Sequence, residues 1–204
     1  MEEFNSKISL GDEDEGFSKS FNVLHLLRHF LRIQQRRALA YSNLKRGFAE
    51  YMNSGDEFAF QRLSGEITQE FNYCSKTVIE MESQLRSQEE SRNDLAQILR
   101  TVQTQEKKKL HLTGEIMVLK KAGRPSERHA KCKLKESREF ECADAPEIEI
   151  TESCGAAEAM YDNDLKEAIC GVQDAVTIIN EQLEEVAYEI GALEFELHPN
   201  SPLT

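Results

Sequence analysis

The sequence predicts an all-α protein made of long, coiled-coil-like helices, and three observations carry that reading. The 204 residues include only 4 Pro, 10 Gly and no Trp. Apolar residues make up 39% and charged residues 30% of the chain, a balance that suits thin amphipathic helices better than a sheet buried on both faces. Apolar side chains also recur at alternating steps of three and four along most of the length, which is the helical period. The architecture expected is an antiparallel three-helix hairpin or bundle over 18–123, a flexible linker, and a fourth long C-terminal heptad helix.

Residues 1–17 are expected to form a disordered acidic N-terminus. Ser18 or Ser20 can cap a first helix over about 20–52. Its stripe runs through Val23, Leu27, Phe30, Gln34, Arg37, Tyr41, Leu44, Phe48 and Tyr51, and is interrupted by the polar pair in the middle. Asn53, Ser54 and Gly55 make a turn, with Asp56 placed to cap the second helix. That helix carries an unbroken stripe of Phe60, Leu63, Ile67, Phe71, Cys74, Val78, Met81 and Leu85, which has to be buried. After a polar joint at 87–93, where Ser91 and Asp94 resemble a capping box, the third helix carries Ile98, Val102, Gln105, Lys109, Leu112, Ile116 and Leu119. Gly123 and Pro125 stop it.

Residues 124–161 lose the pattern and are expected to be a disordered linker. The C-terminal coiled-coil helix is expected over about 162–198, with a tail at 199–204. Its seam is Leu165, Ile169, Val172, Val176, Ile179, Leu183, Val186, Ile190, Leu193 and Leu197, ten successive a/d positions with no polar member. Such a stripe needs cover, by fold-back, by dimerisation through this helix or by another chain. Small flanking residues (Ala168, Ala175, Ala187) favour close antiparallel packing.

Charge is unevenly spread around the net value of −12. Residues 18–123 hold 17 Lys/Arg against 12 Asp/Glu, whereas 162–204 hold one Lys against 10 Asp/Glu, so the two regions can attract each other. No run approaches the roughly 18 apolar residues that span a bilayer, and the N-terminus is acidic where a signal peptide would be basic, so no membrane association is expected. The five cysteines form no C-x-x-C pair and read as reduced thiols.

Catalytic signatures are missing: there is no phosphate-cradling glycine loop, no H-E-x-x-H and no G-x-S-x-G. His129, Cys132, Cys142 and Cys154 lack the spacing of a tetrahedral metal site. No metal or cofactor is called for, and the chain is not expected to be an enzyme. Arg28, Arg32, Arg36 and Arg37 give the first helix a basic face, which can stay solvated, dock an acidic partner or neutralise phosphates. Gly123, Arg124 and Pro125, with Lys120, Lys121 and Arg128 nearby, resemble the core of an AT-hook and are a candidate DNA contact. Gly and Pro already serve as a helix stop there, and direct nucleic-acid binding is not expected.

Three runs, Leu26 to Met52, Phe60 to Leu85 and Leu95 to Gly123, together resemble the required-for-excision 1-B domain, a family named for a role in DNA repair. The distinctive parts are Gln35 to Tyr41, Gly47 to Tyr51, and the block Leu99 to Ala122 with its Gln-x-x-Glu-Lys-x-Lys-Leu-x-Leu-Thr core from Gln103 to Thr113. The resemblance covers about 23–123. It implies a part in the excision of damaged DNA and hence a nuclear location, and the partner expected for the 20–123 domain is a protein of the excision machinery. With the absence of catalytic signatures, the expected function is that of a non-catalytic helical accessory or scaffold protein. The alternative is a coiled-coil subunit of a cytoplasmic trafficking or cytoskeletal complex.

Overall fold

The computed structural model describes residues 9–87, 90–127 and 152–198. Among them are four long helices: α1 (Ser9–Ser54), α2 (Glu57–Leu85), α3 (Asn93–Ala122) and α4 (Glu152–Leu197). No strand occurs among the described residues, and the all-α expectation is borne out. The expectations for 1–8, 128–151 and 199–204, with His129, Cys132 and Cys142, lie outside the described residues.

Two boundaries differ from the sequence reading. α1 begins at Ser9, so the helix takes in half of the stretch expected to be a disordered acidic N-terminus. The chain has no proline before Pro125 to stop a helix from growing in that direction. α4 begins at Glu152, ten residues before the expected start, so 152–161 is helix and not linker. Ala156, Ala157 and Ala159 have the highest helix propensity of any residue type, and Glu158 is anchored by Arg124 at 2.9 Å. The other junctions obey local chemistry. Gly55 takes φ +75°, open to glycine at little cost, and Asp56 accepts a hydrogen bond from the Ala59 amide at 3.0 Å. Gly123 at φ +72° ends α3, its amide bonded to the Leu119 carbonyl at 3.1 Å.

Contacts divide the chain into two compact units, one of 1–105 with 178–204 and the other of 106–177. In the first, α1 runs along α2. Arg37 meets Ser75, Tyr41 meets Phe71 and Phe48 meets Phe60, so positions rise on one helix as they fall on the other and the pair is antiparallel. Gly47 allows the close approach: a Cβ there would lie 2.0 Å from a Leu63 methyl. The core joins Val23, Leu27, Phe30 and Ile33 of α1, Cys74, Val78, Met81 and Leu85 of α2, and Leu95, Leu99 and Val102 of α3. Ile179, Val186, Leu193 and Leu197 of α4 belong to the same core. The C-terminal half of the heptad helix is therefore covered within its own chain.

The second unit is thinner. The 106–122 stretch of α3 and the 152–177 stretch of α4 lie antiparallel, since Leu112 packs on Gly171 while Arg124 reaches Glu158. A Cβ on Gly171 would come within 2.7 Å of Leu112 Cδ1. Ala168 and Ala175 are buried, and Leu112, Ile116 and Leu119 are only half-buried.

Candidate functional site: a polar layer and an exposed face of α1

Helical periodicity carries the α1 stripe straight through Gln34 and Arg37, and the structure buries both, at 8% and 2% exposure. The interruption read from the sequence is thus a polar layer inside the bundle. Arg37 donates to Gln34 Oε1 and Ser75 Oγ, each at 3.4 Å, and to Gln103 Oε1. A guanidinium has five donors and no acceptor, so burying it demands oxygen acceptors around it. Neighbouring helices supply them from α2 (Ser75) and α3 (Gln103). The layer therefore ties three helices in one register.

The other members of the basic face have separate fates. Arg36 makes a two-pronged bond to Glu70, at 2.7 and 2.9 Å, and lies over the Tyr73 ring with its carbon 4.3 Å from the centroid. This pairing holds the Glu70 carboxyl below its usual range and raises the guanidinium. Arg28 reaches Glu194 of α4 at 2.7 Å. Arg32 is exposed and makes no ion pair with a described residue. Burial, then the charges of Arg32 and His25, lowers the pKa of His29. Helical spacing sets Phe21, His25, Arg28, Arg32 and Leu39 along one side of α1, and Phe21 and Leu39 are 58% and 63% exposed. The sequence reading took the arginines of this face and passed over its two apolar members. Their four/three spacing from Arg28 and Arg32 was the available signal.

Gly123, Arg124 and Pro125 lie in the second unit. Arg124 bonds Glu158 at 2.9 Å and Asp162 at 2.8 Å, and its guanidinium carbon stands 5.9 Å from the centroid of the Tyr161 ring. The Ser126 amide donates to the second oxygen of Glu158 at 3.2 Å, and Pro125 is buried. The carboxylates raise the Arg124 guanidinium, and Arg124 in turn lowers Glu158. Within the α4 seam, Ile179, Val186, Leu193 and Leu197 are buried, and Leu165, Val172, Leu183 and Ile190 are half-buried. Ile169 and Val176 are exposed.

Among the described residues no group of His, Cys, Asp and Glu is placed to hold a metal ion, and no helix is long and apolar enough to cross a membrane. These features define an all-α protein whose marked charges mostly bind helix to helix and whose first helix keeps a mixed arginine and apolar face in the open. Residues 25–120, spanning α1 from His25 through nearly all of α3, match the family described as DNA repair REX1-B. The resemblance read from the sequence is borne out over that segment, and the family supports a role in DNA repair. No curated protein and no solved structure matches the chain.

Proposed function

We propose that this chain is a non-catalytic accessory protein of DNA excision repair, working in the nucleus by presenting the exposed face of α1 to a protein of the repair machinery. The observation that carries the proposal is the company of Phe21 and Leu39 with Arg28 and Arg32 on one helix side, in and beside the family-matched region. Aromatic and aliphatic anchors beside arginines are the composition of protein-binding hot spots, whereas nucleic-acid faces rely on many unpaired cations. Arg36 and Arg124 favour the same reading, because each already holds carboxylates of its own chain. The partner expected is a protein with an apolar groove rimmed by carboxylates.

The test is affinity purification of the tagged chain from cells before and after ultraviolet damage, with the single variants Phe21→Glu, Arg32→Glu and Leu39→Glu. Repair proteins should be recovered with the native chain and lost with each variant, while thermal melting stays unchanged. Recovery of trafficking or cytoskeletal proteins alone, with the chain confined to cytoplasmic fractions, would overturn the proposal. A nuclease, glycosylase or ATPase turnover abolished by a single substitution would overturn its non-catalytic part.

A further inference from the structure

From Ile179 on, the apolar seam of α4 enters the core of the first unit, but over 155–177 the helix buries small residues on that same face and the seam lies to one side of it, because a seven-residue repeat drifts about 20° per heptad on a 3.6-residue helix. The helix meets α3 through Ala168, Gly171 and Ala175. Leu165, Ile169, Val172 and Val176 form a single stripe rotated roughly 65° to 125° away from that line of contact. Ile169 and Val176 are 38% and 37% exposed, and the other two are half-buried. Ile116 of α3 is half-buried as well. Two helices alone cannot enclose such a stripe, and a helix face of branched aliphatic side chains is stable only when another layer covers it.

We infer that a second copy of this chain covers the stripe, docked about a two-fold axis so that α3 of each copy lies against α4 of the other. Charge selects this occupant. The 106–122 stretch of α3 carries five Lys against two Glu, and the 155–177 stretch of α4 carries five carboxylates against Lys166 alone. A basic foreign helix would be drawn to α4 and repelled by α3, and an acidic one the reverse. Two-fold symmetry sets each lysine-rich stretch against the partner's carboxylates and repeats the favourable pairing twice. The aliphatic stripe supplies the burial, and the flanking charges fix the orientation. This inference stands apart from the repair role, because it uses only the 106–177 unit.

The experiment is sedimentation equilibrium of the full chain from about 1 to about 100 µM, a range that brackets affinities of modest interfaces. The native chain should pass from monomer to dimer across it. Ile169→Glu and Val176→Glu should each raise the dissociation constant at least about tenfold, since a carboxylate would be buried unpaired in the contact. Ile169→Leu should leave it within about threefold. Circular dichroism establishes that the variants keep their helix. Raising the salt from about 50 to about 500 mM should weaken the native dimer, because screening acts on the rim charges. A native chain that stays monomeric throughout overturns the proposal. So does a dimer indifferent to both glutamate substitutions, and so does a native dimer that holds steady at high salt.

Discussion

The buried guanidinium of Arg37 is the residue on which the upper part of the bundle turns. Arg37→Ala removes its bonds to Gln34, Ser75 and Gln103 and leaves a void, and should cost about 2 to 4 kcal/mol in urea unfolding. Replacing Arg37 and Gln103 together by Leu should cost less than the sum of the single changes, because the Gln103 oxygen is then no longer left without its donor. Cys74 offers a second test. It is wholly buried, and burial pushes its thiol up, while Cys170 is exposed. Alkylation mapped by mass spectrometry should label Cys170 within minutes and Cys74 only once the protein is unfolded, since only an accessible thiolate reacts. Proton binding gives a third. Arg92 lowers Asp94, Arg36 lowers Glu70, and burial lowers His29, so all three take up protons less readily folded than unfolded. Their contributions are complete above the ordinary values of 3.8, 4.5 and 6.5 and fade as pH falls through the depressed ones. The melting temperature should therefore begin to drop below pH 6.5 and drop further below pH 4.5.

At the scale of the helix, close approach and open space make opposite demands on glycine. Gly65→Ala on α2 meets nothing within 4 Å and should stabilise by about 0.5 to 1 kcal/mol, whereas Gly47→Leu collides with Leu63 and should destabilise by about 1 to 3 kcal/mol, both read from thermal melts. The stripe of α2 was legible in full: six of its eight expected positions are buried and the outer two, Phe60 and Leu63, are half-buried, because none competes with a polar residue. On α3 the period was right and its phase was not. Two stripes cross at Val102, and the fully buried one passes through Leu95 and Leu99, with Ile98 half-buried against the edge of the core and Gln105 half-buried beyond it. On α4 the buried line is a single face through Ala168, Ala175, Ile179, Val186 and Leu193, and the heptad seam meets it only from Ile179 on, because a seven-residue repeat drifts about 20° per heptad on a 3.6-residue helix. The polar layer escaped for another reason. Hydropathy reads Gln34 and Arg37 as solvent-facing, and their burial depends on acceptors that lie 38 and 66 positions further along the chain.

Across the whole molecule, the charge asymmetry of the sequence is expressed as Arg28 on Glu194 and Arg92 on Glu189, two links between the basic and the acidic stretches, and Arg124 on Glu158 adds a third pair just outside them. Exposed pairs of this kind are each worth about 0 to 1 kcal/mol, so they direct α4 more than they hold it. The aliphatic contacts hold it. Deleting 178–204 removes Ile179, Val186, Leu193 and Leu197 from the core, about 1.5 to 3 kcal/mol each, a total comparable with the stability of an entire domain. The shortened chain should lose its cooperative melting transition and bind a hydrophobic dye. The same wall of the core has a consequence during synthesis. Val23 and Leu27 are made early, yet the side chains that roof them are separated from them by more than 150 residues of translation. Until the ribosome releases Leu197, the nascent bundle is an open trough, a natural client for chaperones that shield unfinished apolar surfaces.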